Sequence, residues 1–256
     1  MAYTDLAYGV FQGTLYAAKR TMNGAQTGGW LDLGDCDEFI IDPKPKYEDI
    51  KESRTGLGFT AAHVITETDL NVKLRMVQIS QANLERAMWG TASGAVTGAT
   101  VSGEAVTVYP GPSMVPLAHP GVSSVVVSGA TVDVDYTVDA ANGALIILAS
   151  SGVFTDANGT DATVSYTYGD YTGSVDAYTT QQPILQLRLH GINTANNGQP
   201  TIVECFQWAP DMAGNLPFID KKHMMFEMGG MLLQDQTKAL ATADNPHSQF
   251  FKITRA

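Results

Sequence analysis

The sequence predicts a mainly β protein with two β domains and one short helix. Glycine, threonine, valine and serine are frequent, with 25 glycines in 256 residues, and this composition favours strands and turns over helices. Several segments alternate apolar and polar residues with the period of two that a half-buried strand requires. Asn-Gly steps at 142–143 and 158–159 follow or precede such segments and are typical of tight hairpin turns. We therefore expect a β-sandwich or barrel-like core and a second, smaller β-sandwich of the immunoglobulin-like kind.

The first third of the chain supplies strands for the core. A first strand is expected at 8–17, and residues 29–42 lead into a second. Residues 43–58 contain two prolines and a mixture of lysine, glutamate and aspartate, which indicates a long mobile loop. Residues 67–77 alternate cleanly and predict a strand with one apolar face.

Residues 80–90 depart from the strand pattern and predict a short amphipathic helix. Ser80 fits the N-cap position, and Gly90 fits the stop. The apolar residues recur at helical spacing, so we expect one side of the helix to pack on a sheet. These residues are Leu84, Ala87 and Met88.

From about residue 93 the sequence changes to small residues typical of a flexible segment. The part that follows is acidic and contains closely spaced strand candidates. We expect a solvated acidic face in this part, because Asp133, Asp135 and Asp139 alternate with apolar residues. The strand candidates lie at 104–109, 122–128, 131–139, 144–149 and 162–168.

A balanced composition returns after residue 177, with strands expected at 184–190, 201–208, 223–233 and 248–254. Both ends of the chain therefore contribute to one domain, and the middle forms another. The predicted division is a discontinuous β-sandwich core at 1–92 and 178–256, with an inserted β domain at 93–177.

The charge of the chain is −11 and is unevenly distributed. Residues 87–187 contain eight acidic residues and no lysine or arginine. Tight binding of nucleic acid requires basic side chains that replace phosphate counterions, so this span is not expected to bind DNA or RNA.

Targeting and redox features are sparse. The N-terminus lacks the basic and apolar regions of a signal peptide, and no apolar run approaches the length of a membrane helix. Cys36 and Cys205 are far apart in sequence and are expected to be reduced, buried thiols.

Motifs with chemical meaning occur in the wrong context. Residues 56–61 fit a dinucleotide-binding fingerprint, but the sequence around them does not predict a strand followed by a helix. Residues 156–161 resemble part of a calcium loop, and their Asn-Gly pair favours a hairpin turn instead. The five histidines are scattered. We therefore expect no catalytic residue, no cofactor and no metal, and hence not an enzyme.

Several stretches together resemble the major tail tube proteins of tailed bacteriophages. They are GWLDLGDCDEFIID, KYEDIKESRTGLGF, TDLNVKLRMV with SQANLERAMWG, and the C-terminal strands from LQLRLH to FFKIT. Residues 135–169, DYTVDAANGALIILASSGVF…DATVSYTYG, resemble the inserted β module of some of these proteins. The resemblance implies a β-sandwich flanked by a helix, assembled as stacked hexameric rings into a hollow conduit for genome DNA, in a virion whose proteins are made in the host cytoplasm.

The same resemblance implies partners and an interface. The partners are other copies of the chain, the tape measure and terminator proteins of the tail, and double-stranded DNA that passes through the lumen without specific binding; no membrane is involved. The inserted domain would lie on the tube exterior. In this family the charged loop at 43–58 reaches a neighbouring subunit and becomes ordered on assembly. Its candidate interface residues are Lys44, Lys46, Glu48, Asp49, Lys51, Glu52 and Arg54.

Two other classes of function stay open at this point. A virion decoration protein, or an adhesion or carbohydrate-binding β module, has the same strand-rich composition. An enzyme on a β scaffold is also compatible, because a fold does not determine a function.

Overall fold

The computed structural model describes residues 10–54, 56–195, 197–214, 216–219, 221, 224–240, 242 and 247–255. The protein is mainly β, as predicted, and the described residues contain a single helix. That helix has seven residues, and none of the described helical segments is long and apolar enough to cross a membrane.

The elements follow the chain from an N-terminal strand to a C-terminal strand. They are β1 (Phe11–Arg20), β2 (Leu31–Asp32), β3 (Cys36–Lys51), β4 (Thr60–Met76), α1 (Gln81–Ala87), β5 (Thr91–Ala92), β6 (Ala99–Val108), β7 (Ser113–Pro116), β8 (Val122–Val127), β9 (Tyr136–Asp139), β10 (Ala144–Ile147), β11 (Thr160–Tyr168), β12 (Val175–Asp176), β13 (Ile184–Asn193), β14 (Gln199–Pro210), β15 (Phe226–Leu232) and β16 (Phe251–Arg255).

The chain forms two compact units. Unit 1 comprises Met1–Ala92 and Val175–Ala256, and unit 2 comprises Ser93–Ser174. The second boundary lies three residues before the position expected from the sequence.

Unit 1 contains one large antiparallel sheet, which folds over on itself, and the short antiparallel pair β5-β12. The strand order is β2-β1-β13-β14-β15-β4-β3, and β16 also pairs with β14. Leu15 and Leu187, from β1 and β13, share one buried cluster with Leu74 of β4 and Met228 of β15. In a flat sheet β1 and β4 would be about 19 Å apart, since neighbouring strands are about 4.8 Å apart. The shared cluster therefore requires strong curvature.

Strand β14 makes the bend in the sheet, because its two ends have different neighbours. Residues 201–205 pair with β16, whereas residues 208–210 pair with β15. Trp208 is fully buried at the change of partner. The fold of unit 1 thus places β1, β13, β14 and β16 against β15, β4 and β3.

Helix α1 agrees with its prediction in position and cap. The hydroxyl of Ser80 accepts a hydrogen bond from the amide of Asn83, and Ala87 is fully buried. Leu84 is only half-buried, and the inward face instead includes Asn83 and Arg86. The side-chain amide of Asn83 donates a hydrogen bond to the carbonyl of Leu33, so this buried polar side chain has the partner that burial requires.

Unit 2 contains two three-stranded antiparallel sheets, β7-β10-β9 and β6-β11-β8. Side chains of both sheets form one core cluster, which includes Leu145 and Val164. Tyr166 alternates with Ser165 and Thr167 along β11 and points inward, as the sequence pattern predicted.

The strand prediction for 131–139 is wrong over its first half. Strand β9 begins at Tyr136, and residues 133–135 form a turn in which Asp133 has a φ of 64°. Asp135 is buried instead of solvated. Its carboxylate accepts hydrogen bonds from the Thr131 amide and the Ser151 hydroxyl, and these bonds lower its pKa.

The prediction of a long loop at 43–58 is also wrong. Residues 43–51 continue β3 and pair with β4, and the connection comprises only residues 52–59. The two prolines and the mixture of charged residues were the reasons for expecting a loop, but β3 is the edge strand of the sheet, where proline is tolerated. Pro43 lies opposite Leu70 in the ladder.

Candidate assembly surface

The long β3–β4 hairpin extends beyond the rest of the sheet of unit 1. Strand β15 pairs with β4 only at residues 71–76. Over residues 60–70, β4 therefore has β3 as its neighbour, and the two form a two-stranded ribbon. We call residues 43–70 the hairpin arm. Its β3 side, from residue 43 to 51, is roughly 26 Å long at the usual rise of a strand.

The outer edge of the arm is poor at accepting another strand. Opposite residues in an antiparallel ladder exchange either both backbone hydrogen bonds or neither. Pro43 and Pro45 lie opposite Leu70 and Thr68, and because they have no N–H they occupy positions that are not hydrogen-bonded to β4. The backbone nitrogen of each proline therefore faces the free edge of β3. Two missing donors at alternate positions protect this edge against edge-to-edge pairing. Near these prolines, contacts of the arm with other molecules are therefore made more readily by its two faces than by the β3 edge.

The predicted interface residues are divided between the strand and the turn. Five of the seven belong to β3, and Glu52 and Arg54 lie in the connecting segment. The amide of Glu52 donates to the carbonyl of Phe59, which closes the hairpin. The five residues in β3 are Lys44, Lys46, Glu48, Asp49 and Lys51.

Near the base of the arm, charges are paired within the β3–β4 hairpin. The Lys46 ammonium lies 2.6 Å from a Glu67 oxygen and 3.5 Å from an Asp69 oxygen. The hydrogen bond to Glu67 is the main reason that the pKa of Lys46 is raised. The Lys44 ammonium lies 3.7 Å from Asp42. These solvent-exposed pairs fix side-chain directions more than they stabilise the fold.

Nearer the turn of the arm, four side chains on one of its faces lie close together. We call it the Tyr47 face, formed by Tyr47, Asp49, His63 and Ile65. The rings of Tyr47 and His63 stack with centroids 4.4 Å apart, and His63 Nδ1 lies 2.6 Å from Asp49 Oδ1. That hydrogen bond is the main cause of the lowered pKa of Asp49.

The opposite face of the same segment is formed by Glu48, Ile50, Ala62 and Val64, and we call it the Glu48 face. Glu48 lies opposite Val64 in the ladder, and Ile50 lies opposite Ala62. Lys44 and Lys46 point to the same side of β3 but are paired with Asp42, Glu67 and Asp69. Among the described residues, Glu48 has no ion-pair partner.

Sequence reasoning found the charges of the arm but missed its apolar side chains. Tyr47 is 52% exposed, Ile50 53% and Ile65 55%, although such residues are usually buried. Leu57 and Phe59 in the turn region are exposed further, at 72% and 60%. The β-branched residues at 60 and 64–66 were the available signal, because they favour a strand that could pair with residues 43–51.

The glycines of the former nucleotide fingerprint serve the turn of the arm. Gly56 and Gly58 have φ values of 71° and 65°, which glycine adopts without steric cost. They lie between two strands and not between a strand and a helix, so the context of a dinucleotide site is absent. In the described part of the chain, no three His, Cys, Asp or Glu side chains are grouped closely enough to hold a metal ion.

The chain belongs to the family described as "Protein of unknown function UCP028589", which matches residues 8–254. No curated protein matches the sequence.

Proposed function

We propose that the protein is the structural subunit of a phage tail tube. In this proposal it assembles as stacked hexameric rings into a hollow conduit for the delivery of genome DNA. The observation that carries the proposal is the hairpin arm, a ribbon with exposed apolar and charged side chains that the described residues of its own unit leave uncovered.

The energetics of the arm favour burial against another copy. Fully burying a large apolar side chain stabilises by about 1.5–3 kcal/mol, so each half-exposed residue has about 1 kcal/mol still to gain. Association costs several kcal/mol in lost translational and rotational freedom. Repetition of the same contact around a closed ring offsets this cost, because each later contact is effectively intramolecular.

The other open strand edges of unit 1 are also consistent with a subunit of a larger assembly. The outer edge of β16 carries Ile253, which is exposed, and β2 at the other side of the sheet has only two residues. Open edges are an aggregation hazard unless an assembly pairs or covers them. We assign the curved sheet and α1 to the tube wall, and we expect the tape measure and terminator proteins as partners of the tube.

Unit 2 has the properties of an exterior module in this proposal. It contains no lysine or arginine, and its acidic residues keep it soluble and away from DNA phosphates. We assign its two sheets to a small immunoglobulin-like sandwich. In this proposal the protein belongs to the virion, and DNA passes through the tube without specific binding.

Sedimentation velocity of the purified full-length chain across a hundredfold range of concentration tests the proposal. We expect a small species at low concentration and a cooperative change to rings or tubes at high concentration. A single monomeric species at every concentration, in low and in physiological salt, would contradict it.

A further inference from the structure

Unit 1 contains an apolar groove that none of its described residues fills. The groove has a volume of about 250 Å³ and lies between the β1–β13–β14–β16 side of the sheet and β3. Phe39 and Ile41 of β3 line one wall. Phe11 and Ile253 line the other, and they are 44% and 52% exposed.

The cation at this groove is Arg255. The guanidinium of Arg255 is 5.8 Å from the centre of the Phe11 ring, over its face. Among the described residues no carboxylate lies within ion-pair distance of Arg255. The groove therefore combines exposed apolar walls with one available positive charge.

The Glu48 face of the hairpin arm has the complementary pattern. Ile50 and Val64 are exposed apolar side chains, and Glu48 beside them is an available negative charge. The Tyr47 face is less suited, because Asp49 is already bonded to His63. Matching of an apolar patch and a charge on both surfaces gives specificity as well as affinity.

The arm cannot reach the groove of its own copy. Ile41 forms part of the groove wall, and Glu48 lies seven residues further along the same extended strand. At about 3.3 Å per residue this separates Glu48 from the wall by about 23 Å. The two surfaces can therefore meet only between two copies. Such a head-to-tail contact joins different surfaces and generates closed rings or open filaments.

We propose that the arm of one copy places Ile50 and Val64 in the apolar groove of a second copy, with Glu48 paired to Arg255. This inference rests on the proposed function, because it names the surface that receives the arm during assembly.

Charge reversal tests the pairing directly. Glu48→Arg and Arg255→Glu each place like charges in every contact, so each variant alone should assemble only above a critical concentration raised about tenfold or more. In an equimolar mixture, contacts between the two variants have opposite charges again. Alternating copies should then restore assembly at nearly the wild-type concentration, measured by pelleting with a different label on each variant.

Lys252→Glu is the matched control, since it makes the same charge change on β16 at a residue of the opposite strand face. It should assemble alone like the wild type, and in a mixture it should carry no more than traces of Glu48→Arg into the pellet. Tryptophan fluorescence of each variant checks that unit 1 is folded.

The outcomes separate this inference from the proposed function. If the wild type assembles and either reversed variant also assembles normally, or the mixture of both fails, the arm–groove pairing is wrong while the tube proposal stands. The same results are expected if residues 1–9 of the same chain, and not the arm of a second copy, occupy the groove. If the wild type forms no assembly, both proposals are overturned.

Discussion

A buried ion pair gives unit 1 a feature whose removal has a predictable effect on stability. Arg20, at the end of β1, places Nη1 2.9 Å from Asp235 Oδ2, and both side chains are almost fully buried. Arg20 also donates to the carbonyls of Phe206 and Gly24. The carboxylate of Asp235 additionally accepts from the amide and hydroxyl of Thr237. The pair thus attaches the segment after β15 to β1.

The change Asp235→Ala leaves the Arg20 cation buried without its counter-charge. Breaking a buried pair by removing one partner typically costs 3–5 kcal/mol. Arg20 keeps its carbonyl acceptors, so we expect a loss near the lower end, about 3 kcal/mol in the free energy of unfolding. Asp211→Ala, also in unit 1 but at an exposed aspartate, is the control and should change it by less than about 0.5 kcal/mol.

The effect of Asp235→Ala should depend on pH in a defined direction. Burial raises the pKa of Asp235, but the hydrogen bonds from Thr237 and Arg20 outweigh it, so the folded-state pKa is lowered. A group with a lowered pKa contributes its stabilisation above the unfolded value, about 3.9, and loses it as the pH falls through the folded value. The difference between wild type and variant should therefore be full at pH 7 and shrink below about pH 4.

Urea unfolding followed by tryptophan fluorescence measures this effect in unit 1 alone. All three tryptophans, Trp30, Trp89 and Trp208, belong to unit 1, and unit 2 has none. A loss under 1 kcal/mol at pH 7 in dilute monomer, or a difference that grows on acidification, would refute the reasoning.

Three further outcomes are expected. A chain in which a short linker replaces residues 93–177 should still form tubes by electron microscopy; a folded deletion variant without any assembly would count against an exterior role. The double change Lys51→Glu with Arg54→Glu should leave unit 1 folded but weaken polymerisation, most strongly at low salt, and normal pelleting in low salt would speak against it. Because burial raises the pKa values of Cys36 and Cys205 to about 11 and about 12, neither thiol should react quickly with a thiol reagent at pH 7 until the chain is unfolded, and rapid reaction of Cys205 in the folded protein would be inconsistent with its burial.

The sequence carried enough local information for most strands and for α1. Ser80 and Ala87 act as the pattern indicated, because a cap and a helical face are properties of a few neighbouring residues. The strand prediction for residues 131–135 failed because side-chain hydrogen bonds, and not the alternation of residues, determine the local structure. Their alternation is that of a strand, but the Asp135 carboxylate gains more from nearby backbone amides and Ser151 than from a ladder position.

The arm shows what local patterns could not predict. Pro43 and Pro45 together with charged residues are characteristic of a loop, and their compatibility with a strand depends on β3 being at the edge of a sheet. Edge position is a property of the whole topology. The exposure of Ile50 and the groove beneath Arg255 likewise depend on contacts between distant parts of the chain.

Electron microscopy of the purified full-length protein at a concentration above its assembly threshold tests the central claim most directly. The account predicts hollow tubes of stacked rings with six-fold symmetry, in the absence of DNA and of any other protein. Discrete globular particles without rings or tubes, from protein whose tryptophan fluorescence shows a folded unit 1, would contradict it.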